Sequence, residues 1–509
     1  MFKKKIKLSP VMTFIILTFA VILISGFLHL LNVQAEYTTV STVTNELVNN
    51  VVEVKSLLST SGIRHIVSTT VSNFVNFSPL AMLIIVLIGI GVLERSGYTK
   101  TFFTLLTRNS KKYTITFSLI LICLLISIVG EIGYVIMLPF GALLFKHGRR
   151  NPLGGIVASF ASLSFGYGIN IFLSSTDSSL LTITLNAAKS LDPGYSIGIF
   201  FGLFIMILML IITSLVFTHI TEKKIMPILP RIEIEEEEVK ITNKELRGLI
   251  IGTAAGLLYV LIVAYMIIPG LPFSGALLDD GGLRYIDMLF GANSLFNKGF
   301  VFIITMLFVI VGLGYGLMAK TIKSNKDVTE SLSYSIEEHG NVLVLIFFAS
   351  LFLGVYEQSN IGQVIAAFIS NIIGSLNFTG ILLIVFVFIF IAVANIFLPS
   401  SLLKWNIMSG SVVPLMMNAS ISPELTQIIY VAAGSVTNGL TPLLAFIVIY
   451  IAFMEKYSKS ESVSLFGCFK YMVPYAVVIT LIWLVVICAW YMIGVPIGIG
   501  AFPGVTYGA

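Results

Sequence analysis

Six ionisable residues, Glu94, Glu131, Asp177, Glu357, Lys404 and Glu424, stand within or beside long apolar runs. A charged group at mid-bilayer costs roughly 2.5–3.5 kcal/mol on insertion scales, so each needs a partner, a route to water or a task. Glu94 and Glu424 fall where interfaces or helix starts are expected, and water or the positive end of a helix dipole accounts for them. Asp177 lies in Ser174-Ser175-Thr176-Asp177-Ser178-Ser179. That cluster reads as helix N-cap chemistry, or as a cation ligand or proton acceptor. Lys404 either snorkels to an interface or faces an anionic substrate. Trp405 beside it is an interface anchor or a stacking platform for an aromatic ring. Ser164, Asn170, Asn395, Ser400, Ser435, Thr437 and Asn438 add neutral oxygens. The last five, together with free carbonyls, suit Na+, with Asn395 and Asn438 as the candidate ligands, while Ser164 and Asn170, with Ser400 and Ser435, are candidate substrate contacts. Singly, each is an ordinary interhelical hydrogen bond.

The chain offers no other catalytic constellation. GxxxxGK[ST], HExxH and GxSxG patterns are absent, which speaks against ATP hydrolysis by this chain and against a hydrolase. Cys123, Cys468 and Cys488 form no CxxC or Cys/His cluster and read as small apolar residues. Apart from the candidate Na+, no cofactor is implied. Transport of a small molecule down or against an ion gradient fits this inventory, and an enzyme does not.

The elements that hold these residues belong in a membrane. Of 509 residues, 57% are hydrophobic and 11% charged, and the mean hydropathy is +1.00. Soluble domains carry about 25% charged residues, so a water-soluble or disordered chain is excluded. The net charge of +5 is small, and the basic residues sit in loops beside apolar runs. That pattern orients a chain in a bilayer rather than binding nucleic acid.

Four lysines in the first seven residues precede an apolar run from Val11 to Val33, long enough to cross about 30 Å of hydrocarbon. An uncleaved first span with a cytoplasmic N-terminus follows from the charge bias. Gln34–Ser78 is basic-poor and is placed outside. Leu80–Leu93 leads back in to Arg95, Lys100, Arg108, Lys111 and Lys112. Tyr113–Phe145 is too long for one span and weak at Gly130-Glu131, so it reads as two crossings. Ile197–Phe217 ends in a basic loop placed inside, whose run Glu233–Glu238 is a solvated linker. The reading is one membrane domain over 1–509, with a first half at 8–217, a cytoplasmic linker at 218–248 and a second half at 249–509.

Two regions interrupt this pattern. Pro152–Gly168 is followed by Asn170-Ile-Phe-Leu-Ser-Ser-Thr-Asp177, and Asn395-Ile-Phe-Leu-Pro-Ser400-Ser-Leu-Leu-Lys404-Trp405 by Pro423–Pro442. Each region has a segment that starts at Pro, runs through small residues and reaches Ser then Gly: Ser164/Gly166 and Ser435/Gly439. Irregular backbone at membrane depth survives only where protein buries it or a wet cavity meets it. Two such regions, one late in each half, predict an inverted repeat with a site at the midplane. Hairpins are expected near 152–168 and 423–442, in an all-α polytopic fold.

Asn395–Trp405, Val413-Pro414-Leu415-Met416, Ser422-Pro423-Glu424-Leu425-Thr426-Gln427 and Ser435-Val436-Thr437-Asn438 before Thr441-Pro442 resemble the p-aminobenzoyl-glutamate transporter (AbgT) family. So do Leu93–Gly97, Gly133-Tyr134-Val135 with Leu138-Pro139, Gly148-Arg149 with Pro152-Leu153 and Gly155, Ser175-Thr176-Asp177, Ser359-Asn360-Ile361-Gly362 and Gly494–Gly498. The resemblance covers nearly the whole chain. It implies a homodimer in the bacterial inner membrane, with about nine spans and two re-entrant hairpins per subunit, divided into scaffold and transport subdomains. The implied transport is Na+- or H+-coupled uptake of p-aminobenzoyl-glutamate, or export of sulfonamide drugs. Asp177, Asn395, Ser400, Trp405, Asn438 and Pro442 fall on the family's site positions.

Two departures stand out. The family's Tyr-Arg-Ile-Gly-Asp-Ser-Val-Thr-Asn reads Tyr430-Val431-Ala432-Ala433-Gly434-Ser435-Val436-Thr437-Asn438 here, so an Arg and an Asp position are Val431 and Gly434. Three residues apart on a helix, they would face each other as an ion pair, and losing both leaves the local charge unchanged. Leu402 stands where the family tends to have Ser. These changes point to a substrate recognised chiefly by Lys404, or to a different carboxylate or less charged compound.

Overall fold

The computed structural model describes residues 8–40, 46–171, 174–232, 241–282, 285–291, 293–337, 340–458 and 463–505; the acidic run Glu233–Glu238 lies outside them. Helix α1 (Pro10–Leu30) begins where the Ser9 hydroxyl accepts the Met12 N–H at 3.3 Å, with Pro10 preset for the first turn. Strands β1 (Gln34–Val40) and β2 (Leu47–Glu53) pair antiparallel from Gln34↔Glu53 to Val40↔Leu47. This hairpin is an addition to the expected all-helical frame. Thr38, Thr39, Val40, Val48, Val51 and Val52 are β-branched and favour extended backbone.

The first half continues with α2 (Thr60–Val75), α3 (Ser78–Ser96), α4 (Tyr98–Thr107), α5 (Lys112–Ile126), α6 (Ile132–His147), α7 (Pro152–Phe165), α8 (Ser175–Lys189) and α9 (Leu203–Ile220). A π turn at Thr221–Ile225 extends α9. The second half holds α10 (Asn243–Met266), α11 (Tyr285–Phe290), α12 (Leu295–Ala319), α13 (Asn325–Glu337), α14 (Gly340–Gln358) and α15 (Ile361–Gly374). It ends with α16 (Gly380–Phe397), α17 (Ser401–Asn418), α18 (Pro423–Asn438), α19 (Ile447–Tyr457) and α20 (Leu465–Ile493). Among the described residues, nine helical stretches are long and apolar enough to cross a membrane.

Two packed groups of helices matter for the site, while α1 and α2 pack on α14 and α15 lies on α16 and α17. In one, α3 lies against α12 and α13, and α10 against α12. Gly248, Gly252 and Gly256, one per turn, bring α10 close to Val311 and Tyr315, as small residues do between helices in membranes. The other group comprises α5–α9 and α16–α20, and it carries the residues singled out from the sequence.

That second group contains two copies of one motif. In the first, α5 and α7 start side by side: Arg150 donates to the Lys112 carbonyl at 3.1 Å. They also end side by side, where the Ser127 hydroxyl donates to Asn170 Oδ1 at 2.9 Å. The chain reverses through Ser127–Glu131, and α6 returns along α7 with Gly141 against Gly155 and Ser159. In the second copy, α16 runs beside α18 in the same direction, Ala392, Asn395 and Ile396 meeting Thr437, Asn438 and Thr441. The chain turns at Leu398–Ser400 into α17.

Helix α9 gives the relative direction of the copies. Asn151, at the start of α7, donates to the Pro230 carbonyl at 2.7 Å, just beyond the end of α9. Ile428, near the start of α18, meets Gly202 at the beginning of α9. The two buried helices therefore run toward each other, and Gly439, just past α18, rests on the ring of Phe165, the last residue of α7. This is an inverted repeat.

The turns fall one element earlier than the sequence reading placed them. Residues 152–165 and 423–438 are single helices, each with Pro in its first turn and a side-chain cap from Asn151 or Ser422. Proline there starts a helix rather than turning it. The small residues along α7 serve close packing: every residue of Pro152–Phe165 is buried. The backbone leaves helical form after Gly166 and after Gly439, resuming at Ser175 and Ile447. The run Tyr113–Phe145, read as two crossings, is the α5–α6 pair, reversing at the weak point Gly130-Glu131.

Candidate functional site

Two polar clusters flank α18. At the first break, Asp177 closes a capping box on α8: its N–H donates to Ser174 Oγ at 3.1 Å, and Asp177 Oδ2 accepts from the Ser174 N–H at 3.0 Å. The same oxygen takes the Ser174 hydroxyl at 2.7 Å and Asn170 Nδ2 at 2.9 Å. The N-cap reading of this sequence cluster thus describes Oδ2. Oδ1 accepts none of these bonds, and Asp177 lines a cleft with Asn170, Gly168, Phe201, Gln427 and Val431.

At the second turn, Asn395 occupies the centre. Its Nδ2 donates to Asn438 Oδ1 at 2.9 Å and to Thr437 Oγ1 at 3.1 Å, and its Oδ1 accepts the Lys404 amine. Lys404 is 1% exposed, and no carboxylate among the described residues pairs with it. Its amine also lies 5.2 Å from the centre of the Tyr430 ring. A Na+ held between Asn395 and Asn438 would sit against this amine. The donor set as built does not fit a cation there and suits an anion.

Gln427, Val431, Gly434 and Asn438 are spaced i, i+4, i+7 and i+11, one face of α18, about 16 Å long at 1.5 Å per residue. A Cβ added at Gly434 would lie 3.4 Å from both Lys404 Nζ and Asn395 Oδ1. Val431 faces Gly168 at the first break. The two positions that depart from the family pattern therefore face different neighbours. The natural partner of position 434 is Lys404, so a neutral residue at 431 does not compensate for a glycine at 434.

Other expected site residues are placed differently. Trp405 is fully buried, stacked on Tyr430 at 4.1 Å between ring centres, with its indole N–H donated to Thr184 Oγ1 at 2.8 Å. It supports the wall rather than presenting a ring face to it. Ser164 accepts the Tyr134 hydroxyl at 3.2 Å inside the protein, and Ser435 bonds the Ala432 carbonyl of its own helix at 2.8 Å. Ser400 is exposed at the α16–α17 turn, and Pro442 lies half-buried in the second break. Glu424, in the first turn of α18, accepts the Tyr195 hydroxyl at 2.7 Å, while Glu131 and Glu357 are exposed. Gln427 was missed: it is one uncharged residue in an apolar helix, and only its α-helical spacing from Val431 and Asn438 hints at it.

The model of the AbgT putative transporter family matches residues 6–505. The chain belongs to this family. It is 26% identical over 496 residues to the p-aminobenzoyl-glutamate transport protein of Escherichia coli (strain K12), covering 97% of this chain and 94% of that one. Among solved structures, the YdaH transporter of Alcanivorax borkumensis is 25% identical, with 96% of this chain and 100% of that one covered and a TM-score of 0.49. MtrF of Neisseria gonorrhoeae, described with a class of antimetabolite efflux pumps, is 28% identical over 98% of each chain, with a TM-score of 0.48. This AbgT family member is a multi-pass membrane transporter rather than an enzyme.

Proposed function

We infer that this protein is an ion-coupled secondary transporter of small organic anions like p-aminobenzoyl-glutamate. It resides in the bacterial inner membrane, N-terminus cytoplasmic, as a homodimer surrounded by lipid. The observation that carries the reading is the convergence of α7 and α18 from opposite ends at a polar region that includes a buried amine with no carboxylate partner among the described residues. An anionic substrate supplies the missing charge. Such half-helix meetings mark midplane substrate sites in transporters built from inverted repeats. In this reading α5–α6 and α16–α17 are re-entrant hairpins, and α7–α8 and α18–α19 are crossings broken at mid-membrane. The group holding α5–α9 and α16–α20 moves as an elevator against the group holding α3, α10 and α12. The free oxygen of Asp177 takes the coupling H+ or Na+.

Purified protein in proteoliposomes tests this. An imposed Na+ or proton gradient should drive labelled p-aminobenzoyl-glutamate above equilibrium, and Asp177→Asn should remove the cation dependence. Mere equilibration, or an unchanged cation dependence in the variant, refutes the coupling mechanism. Export of sulfonamide-type compounds is the second reading, favoured by the uncharged wall at Val431 and Gly434. Vesicles of opposite orientation, loaded with a sulfonamide, separate the two directions.

A further inference from the structure

A cleft opens between the first helix break, the start of α9 and the second and third turns of α18. Its walls are largely apolar, contributed by Phe201, Met206, Ile428 and Val431, and beside Asn170, whose amide already bonds Ser127 and Asp177, they carry two polar side chains with an acceptor oxygen left over. One is Asp177, whose Oδ2 is occupied by three donors while Oδ1 takes none of them. The other is Gln427, 2% exposed, whose Oε1 is buried without a hydrogen-bond partner. Buried polar groups in native proteins are almost always paired. Of the unpaired buried side-chain atoms among the described residues, the Gln427 oxygen alone belongs to a residue lining this cleft. A carboxylate and an amide oxygen on an apolar, aromatic wall call for a flat ligand that donates hydrogen bonds.

We propose that Gln427 and Asp177 form a subsite for the aryl amine of the transported substrate, with Gln427 the residue that selects for that amine. The inference rests on the organic-anion reading and extends it. The ring lies against Val431 and Phe201, while the amine gives one N–H to Gln427 Oε1 and one to the lone pair that Asp177 Oδ1 keeps when it carries the coupling H+ or Na+. Seven residues further along the same face, about 10 Å away at 1.5 Å per residue, Gly434 lies beside the Lys404 amine, which receives the anionic end. The Gln427 amide presents an acceptor to this pair, a role glutamate reproduces and leucine does not.

Calorimetric titration of the detergent-purified full chain with p-aminobenzoyl-glutamate and with benzoyl-glutamate, which lacks only the amine, tests the assignment. Wild type should bind the amine-bearing compound about 10-fold or more tightly, as expected when a buried acceptor otherwise goes unpaired. Gln427→Leu should bind the two within about twofold of each other, with its thermal midpoint recorded to show that it folds. Gln427→Glu should keep the preference, which separates amine recognition from a packing effect. Equal wild-type affinities, or a full preference surviving in Gln427→Leu, overturn the proposal. If neither compound binds wild type, the organic-anion reading fails first and the subsite falls with it.

Discussion

Restoring a carboxylate beside Lys404 is the sharpest perturbation the structure offers. In Gly434→Asp the new Cβ would lie 3.4 Å from the Lys404 nitrogen and 3.4 Å from Asn395 Oδ1, and no backbone atom is among its nearest neighbours. Its oxygens would then reach the amine. Two unit charges about 4 Å apart attract by about 4 kcal/mol at an effective dielectric of 20, and desolvation takes part of that back. A net charge-assisted bond of about 1.5–3 kcal/mol remains. An anionic substrate must then compete with a resident carboxylate, which weakens binding by about 10- to 150-fold. The thermal midpoint of the ligand-free protein should rise over the same substitution. Calorimetry with p-aminobenzoyl-glutamate and a melting curve in detergent read both effects. Unchanged affinity would show that Lys404 does not receive the substrate's negative charge, and a lowered midpoint would show that the amine is already neutralised.

Lys404→Met should weaken binding of the same anion at least about 10-fold while leaving the midpoint unchanged or higher, because a buried amine held by an amide oxygen and not by a carboxylate is replaced by apolar volume; intact binding measured by calorimetry refutes the role. At the base of α7, the buried Arg150 side chain bonds Glu222 and donates to Thr116 Oγ1 at 2.8 Å, its guanidinium 4.2 Å from the centre of the Phe145 ring. Glu222→Ala should therefore cost about 3–5 kcal/mol in denaturant unfolding, with most of it recovered in Arg150→Met/Glu222→Leu. A loss below about 1 kcal/mol would show that the pair is solvated.

Much of this architecture was visible in the chain before folding. Hydropathy located the membrane helices, and the two interrupted regions marked the sites where backbone leaves helical form. The reversal at Gly130-Glu131 was visible too, but whether the arm before it crosses the membrane was not, for a local reason. Helices α5 and α16 are as long and apolar as crossing helices, so neither arm by itself distinguishes a crossing from the re-entrant hairpin proposed above. Pro152 and Pro423 read as interruptions, and they open helices because a proline needs no N–H in the first turn.

Sequence alone determined that the protein lives in a bilayer, that its polar residues cluster in two late regions, and that Asp177 and Lys404, ionisable groups in those regions, each need a partner, a route to water or a task. Only the tertiary structure decided which of them meet. Lys404 faces Gly434 across thirty positions of chain, and Asp177 shares a cleft with Gln427 from the other half of the repeat. Burial and periodicity are properties of neighbouring residues and survive in a linear reading. The partner of a buried charge is set by how two oppositely running helices come together, and that information exists only in the packed molecule.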